Sequence, residues 1–248
     1  MKRSIIIGGS SGLGLEISNK LSKSKNYLPI IFSRSDQKLN SLKGPFLYEK
    51  CDLLKFSTDD FLKIFKKHLP LSSICFCQRY RNNLKVDDNQ FNTEEYIVMV
   101  QSIANALIAI NSIKDDILNP NNDEFLRIVI IGSTYAERIG YDQNWSYHSC
   151  KASQLSLVKY FSLNAKTKYN INLLSPATYI KKGAENYWKE NNKSKIWGNY
   201  SINKLATVSE IANAAFNLMS NSSRYINGNN ILIDGGINSL YSDQNLID

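Results

Sequence analysis

Seven short apolar runs, "SIIIGG", "LPIIFSR", "FLYEKCD", "SSICFC", "RIVIIGS", "INLLSPA" and "NILIDGG", recur along the chain with longer amphipathic stretches between them. Strands that alternate with helices pair in parallel, because each helical crossover returns the chain to the same end of the sheet. The runs are nearly continuous in Ile, Leu and Val, without polar alternation. A sheet of such strands must be covered by helices on both faces. The expectation is an α/β fold with a doubly wound, seven-stranded parallel sheet. Its 248 residues, 43% hydrophobic and 21% charged, suffice for one large core, so residues 1–248 are expected to form a single domain.

Two segments break the rhythm. "ILNPNNDEF" (117–125) is a turn-rich loop before the fifth strand. Residues 181–206, "KKGAENYWKENNKSKIWGNYSINKLA", are long, polar and aromatic, and are expected to form a substrate lid over the strand ends. Its Tyr187, Trp188, Trp197 and Tyr200 would stack on a sugar or cover an acyl chain, or simply pack the loop.

The stretch "IIIGGSSGLGLEI" (5–17) removes side chains where the first strand turns into the first helix. Gly8, Gly12 and Gly14 sit at that turn, with Leu13 between the last two, so backbone amides and the helix dipole converge on one spot suited to a pyrophosphate. Ser10 and Ser11 add hydroxyl donors. The alternative, a simple tight turn, is disfavoured because a strand precedes the glycines and a helix follows, as in a Rossmann-type dinucleotide site. At the end of the second strand, about twenty residues on, an acidic residue would grip a ribose 2′-hydroxyl. Here "IIFSRSDQKL" places Ser33 and Arg34 instead, and an arginine fork suits a 2′-phosphate, which argues for NADP(H) over NAD(H). A solvated arginine at a helix start is the plainer reading; Asp36 would cap that helix.

In "SYHSCKASQLSL", Tyr147 and Lys151 are four apart and share a helix face. An ammonium beside a phenol favours phenolate, lowering its pKa from about 10 toward neutrality and making tyrosine a usable general acid or base. Ser133, at the C-terminal end of the fifth strand, would meet a ligand bound at that sheet edge. Cys150 beside the pair reads as a small helix filler rather than a nucleophile.

Taken in order, these motifs resemble the classical short-chain dehydrogenases/reductases over nearly the whole chain. The family's TGxxxGxG turn is similar to Ile7, Gly8, Gly12 and Gly14, with isoleucine for threonine. Its acidic residue after the third strand resembles Asp52, followed by Leu53, near the adenine. The family's catalytic serine, tyrosine and lysine map onto Ser133, Tyr147 and Lys151. The proline-glycine turn after the sixth strand is similar to Pro176 and Ala177, followed by Thr178 and Ile180, whose backbone would meet the nicotinamide amide. The C-terminal helix and strand of the family resemble "VSEIANAAFNLMSNSSRYINGNNILIDGG", including Gly228, Asp234 and Gly235.

The chain departs from the family twice. The family's Asn-Asn-Ala-Gly after the fourth strand is replaced by "CFCQRYRNN", which sets Gln78 beside the expected adenine ribose and brings Arg79 or Arg81 toward an anionic ligand, or leaves an exposed basic loop. The family asparagine that holds a relay water falls at Gln101, with Asn105 one turn later as a substitute. The resemblance implies hydride transfer between a nicotinamide and the carbonyl or secondary alcohol of a small molecule, with Tyr147 passing the proton, Ser133 holding the oxygen and Lys151 holding the ribose. It also implies a homodimer or homotetramer. A dinucleotide-binding sensor or structural protein that has lost turnover is the alternative.

Composition limits other classes. Cys51, Cys75, Cys77 and Cys150 form no CxxC pair, and with only His68 and His148 no zinc-ligand spacing exists. Reduced thiols and the absence of a signal peptide or spanning stretch fit a cytoplasmic protein. The net charge of +8 is carried by 30 basic residues spread along the chain without an arginine-rich block, which suits an anionic small molecule rather than nucleic acid.

Overall fold

The computed structural model describes residues 1–35, 39, 42, 44–80, 92–117, 125–140, 143–165, 168–181, 204–220 and 223–239. Strands β1 (Lys2–Ile7), β2 (Tyr27–Ser33), β3 (Leu47–Lys50), β4 (Leu71–Phe76), β5 (Leu126–Ile131), β6 (Tyr169–Pro176) and β9 (Asn230–Ile233) form one sheet in the order β3-β2-β1-β4-β5-β6-β9. Every pairing in it is parallel. The chain winds outward from β1 to β3 and crosses back to β4, so the order reverses between β1 and β4. A parallel sheet opens a crevice at such a reversal, beyond the carboxyl ends of its strands.

Burial on both faces explains the unbroken apolar runs. Ile5 and Ile7 of β1 belong to a core completed by α2 (Thr58–Lys67), α4 (Ser102–Ser112) and α5 (Trp145–Asn164), through Phe61, Phe65, Leu107, Ile110, Leu155 and Val158. Ile6 belongs to the opposite core, completed by α1 (Gly12–Lys23) and α6 (Val208–Leu218) through Ile17, Leu21, Ile211 and Ala215. Each such isoleucine, fully removed from water, contributes about 2 kcal/mol. Strand period two sends neighbours to opposite faces, and both faces are dry.

The amphipathic stretch "EEYIVMVQSIANALIAI" departs from a uniform helix. α3 (Thr93–Tyr96) passes through a π-turn (Ile97–Gln101) before α4 begins. The wide turn has an identifiable partner, since the Met99 carbonyl accepts the Gln154 side-chain amide at 2.7 Å. A two-residue pair, β7 (Tyr179–Ile180) with β8 (Ala206–Thr207), brackets most of the expected lid. Residues 182–203 of that lid, most of the 117–125 loop, Asp36 and Arg81 lie outside the described residues. Among the described residues, no helix is long and apolar enough to cross a membrane, and no group of three His, Cys, Asp or Glu side chains could hold a metal ion.

Candidate active site

The glycine turn lies at the end of β1, in the crevice between β2 and β4. Gly8 has a φ of 81° and packs so closely on the chain after β4 that a Cβ there would stand 3.0 Å from the Gln78 nitrogen. A Cβ on Gly14 would stand 2.3 Å from the Gly8 carbonyl oxygen. Gly12, by contrast, faces open space. Ser11 is the N-cap of α1 but its side chain makes no capping bond, and the first turn carries no acidic residue. The amides of Gly12, Leu13 and Gly14 therefore meet the crevice at an uncompensated helix dipole.

Around this turn stand the other residues expected to hold a dinucleotide. The Ser10 and Ser33 hydroxyls are 2.6 Å apart and clip the turn to the end of β2, where Arg34 is exposed. Asp52 and Leu53 follow β3; Asp52 Oδ1 accepts the Leu54 amide, and Leu53 packs against the core. Gln78 is buried with both side-chain amide atoms unpartnered. Pro176 ends β6, the Ala177 amide donates to the Ile233 carbonyl at 3.1 Å, and Ile180 lies in β7. Bare backbone at an uncapped helix end and an unsatisfied buried amide beside it fit a bound dinucleotide, because the ligand would supply the missing anion and hydrogen-bond partner.

The second cluster stands at the end of β5. Ser133 caps a short 3-10 turn (Thr134–Ala136), accepting the Tyr135 amide at 3.2 Å, and the Tyr135 ring meets Tyr147 edge to face at 6.4 Å. Asn144 caps α5 by accepting the Tyr147 amide at 2.9 Å, which sets Tyr147 in the first turn. Lys151 lies one turn on, buried, with Nζ 5.7 Å from the Tyr147 ring centre. That Nζ donates to the Ile131 carbonyl at 2.9 Å and to Gln154 Oε1 at 3.1 Å. Tyr147 and Lys151 share a helix face through their four-residue spacing, and the bond from Lys151 to the Ile131 carbonyl turns that face to the end of β5.

Gln154 is absent from the sequence-based set of site residues. It links Lys151 to the Met99 carbonyl in the π-turn that also carries Gln101, the residue expected to hold a relay water. Gln101 is exposed and lines a groove with Leu53, Phe56, Ser57 and Asn105, while Asn105 donates to the Phe56 carbonyl. The π-turn sets which face each residue presents, a rotation that helix periodicity alone does not register. The spacing of Lys151 and Gln154, three apart on one face, was the available signal.

Arg79 and Glu95 complete the cluster. The Arg79 guanidinium lies 4.6 Å above the Tyr147 ring centre and donates to Gln143 at 2.8 Å. The Glu95 carboxyl is buried, and burial pushes its pKa up against the pull of Ser146, Arg79 and Lys151. Burial also lifts the Cys150 thiol to about 12, so it stays protonated near neutrality.

Desolvation, followed by the charge of Arg79, lowers the Lys151 ammonium from 10.5 to about 7. The native protein therefore sheds a proton that the unfolded chain keeps until about pH 10.5. Between those values the unfolded state binds more protons, so stability rises with pH, while below about 7 the full burial penalty is present. In thermal melts, the Tm of wild type relative to Lys151→Met is expected to rise by roughly 5 °C between about pH 6 and about pH 9. A constant difference would show that the lysine stays charged inside the fold.

Comparison with known proteins places these clusters in context. The profile of a family described as "Enoyl-(Acyl carrier protein) reductase" matches residues 81–238. The 3-oxoacyl-[acyl-carrier-protein] reductase FabG of Buchnera aphidicola subsp. Baizongia pistaciae is 24% identical over 246 residues, 95% of this chain and 97% of that protein. Among solved structures, an aldohexose dehydrogenase of Thermoplasma acidophilum has a TM-score of 0.78 at 20% identity, covering 97% of this chain and 95% of that one. A 3-oxoacyl (acyl-carrier-protein) reductase of Agrobacterium tumefaciens with NADP bound has a TM-score of 0.77 at 16% identity, covering 94% and 93%.

Proposed function

The chain belongs to the short-chain dehydrogenase/reductase family of oxidoreductases, and on that premise we propose that the whole chain, acting as one domain, is an NADP(H)-dependent reductase of a small-molecule ketone or aldehyde. The observation that carries this reading is the pairing of Tyr147 with buried Lys151 on one face of α5, turned to the end of β5. The relatives named as 3-oxoacyl reductases support a carbonyl substrate, and the one with NADP bound supports the cofactor class.

The nicotinamide, when bound, supplies the hydride. Gly12, Leu13 and Gly14 present amides to its pyrophosphate, Ser10, Ser11 and Ser33 add hydroxyls, and Arg34 takes the 2′-phosphate. Asp52 and Leu53 flank the adenine, Gln78 supplies its unpartnered amide to the ribose side, and Pro176, Ala177 and Ile180 wall the nicotinamide end. Ser133 donates a hydrogen bond to the substrate oxygen, and Tyr147 delivers the proton that turns the reduced carbonyl into a hydroxyl. Lys151 holds the ribose and, in its protonated form, places a cation beside the phenol, while Gln154 fixes its Nζ and links it to the π-turn. Exposed Ile108 on α4 and exposed Tyr160 and Leu163 on α5 suit a homodimer or homotetramer formed through these helices. A cytoplasmic location is consistent with the four free cysteines.

Fluorescence titration with NADPH and NADH tests the cofactor without requiring the substrate. Wild type is expected to prefer NADPH by about tenfold or more, and Arg34→Ala to lose that preference, since a charged hydrogen bond contributes roughly 1.5–3 kcal/mol. Preference for NADH would overturn the role of Arg34. Binding of neither nucleotide would overturn the oxidoreductase reading.

A further inference from the structure

Arg79 is a cation at the mouth of the catalytic cluster that the hydride-transfer chemistry does not use. It is exposed, yet held in place. Its guanidinium stacks 4.6 Å above the Tyr147 ring and donates to Gln143 Oε1 at 2.8 Å, while the next residue, Tyr80, is tied through its hydroxyl to Glu94. Gln143 is neutral, and among the described residues no carboxylate lies within ion-pair distance of Arg79. A guanidinium held by a ring face and one amide retains N–H donors for an incoming anion.

The surrounding charge points the same way. The Lys151 Nζ lies 5.7 Å from the centre of the same ring. The carboxyl that feels both cations, Glu95, is buried, so it cannot follow a ligand to the mouth. Burial also favours its neutral form. Among the described residues, the approach to Tyr147 therefore carries the Arg79 guanidinium as a fork-shaped donor fixed over the phenol ring, with no ion-paired carboxylate on it. A neutral carbonyl compound has no group to match it.

We infer that the substrate carries an anionic group, a carboxylate or a phosphate, within a few bonds of the reacting carbonyl, and that Arg79 binds it and so sets specificity. This rests on Tyr147 being the proton donor, as proposed above. A substrate gripped by Arg79 presents its carbonyl beside the tyrosine because the guanidinium and the phenol are stacked. Arg79 is thus a specificity determinant, distinct from the groups that move the proton.

The test measures ligand binding to the NADPH-loaded protein through the fluorescence of the bound nucleotide. Four probes are used: acetoacetate and methyl acetoacetate, and dihydroxyacetone phosphate and dihydroxyacetone. Within at least one pair, wild type is expected to bind the anion about tenfold or more tightly than its neutral partner. The pair that shows the difference identifies carboxylate or phosphate. Arg79→Leu is expected to abolish the discrimination and Arg79→Lys to retain part of it, with NADPH affinity within about twofold of wild type. Equal or undetectable binding within both pairs overturns the inference, as does discrimination that survives Arg79→Leu. A loss of NADPH affinity in Arg79→Leu as large as the loss of anion affinity also overturns it, assigning the arginine to the cofactor. Failure of wild type to bind NADPH would overturn the reductase reading itself and is seen before any probe is added.

Discussion

Tyr147→Phe is expected to lower NADPH-dependent carbonyl reduction by a factor of about 10² to 10⁴, the range assigned to a positioned general acid. The substitution deletes one hydroxyl and little else. The edge-to-face contact with Tyr135 and the Arg79 guanidinium over the ring both involve the aromatic system, which phenylalanine keeps. The Asn144 cap bonds the backbone of residue 147, not its side chain. Folding and NADPH affinity should therefore remain near wild type while turnover, followed by NADPH oxidation with a panel of oxo acids and ketones, collapses. A variant that kept more than about a tenth of the rate would remove Tyr147 from the proton-transfer step. Loss of stability in step with activity would instead mark the hydroxyl as structural.

Gly14→Ala is expected to cost about 3 kcal/mol of stability and to weaken dinucleotide binding. The new Cβ would lie 2.3 Å from the Gly8 carbonyl oxygen and 2.9 Å from its carbon, and these are backbone atoms that cannot rotate away. Relief requires α1 to move off the turn, and the same movement carries the first-turn amides out of line. Gly12→Ala supplies the contrast. Nothing lies within 4 Å of its Cβ position, so the cost comes only from its φ of 54°, on the order of 1 kcal/mol. In denaturant melts the Gly14 variant should lose several-fold more stability than the Gly12 variant, whereas both should bind NADPH less tightly. Equal stability losses would mean that the close packing of turn and helix contributes little.

The parts of the site that were legible in the sequence are those whose geometry is local. Tyr147 and Lys151 fall on one face because four residues make roughly one helical turn. Gly8, Gly12 and Gly14 mark a strand-to-helix turn because only glycine tolerates the conformations and approaches that it needs. Gln154 and Glu95 were not legible. Gln154 matters only because a π-turn 55 residues away offers the Met99 carbonyl, and Glu95 matters only because its helix is buried against α5. Gln101, expected from its place in the chain to hold a relay water, ends the π-turn, is exposed and lines a groove with Phe56 and Asn105.

The sequence by itself determined the parallel, doubly wound sheet, the glycine turn at the end of β1 and the pairing of Tyr147 with Lys151. Hydrophobic periodicity and backbone sterics act over a few residues, and a single chain displays them directly. The tertiary structure alone decided that the Lys151 ammonium is buried between the Ile131 carbonyl and Gln154 and that the Arg79 guanidinium lies over the Tyr147 ring. Those contacts join residues up to 68 positions apart, as Arg79 is from Tyr147, and their energies depend on desolvation and charge that exist only once the strands are packed side by side.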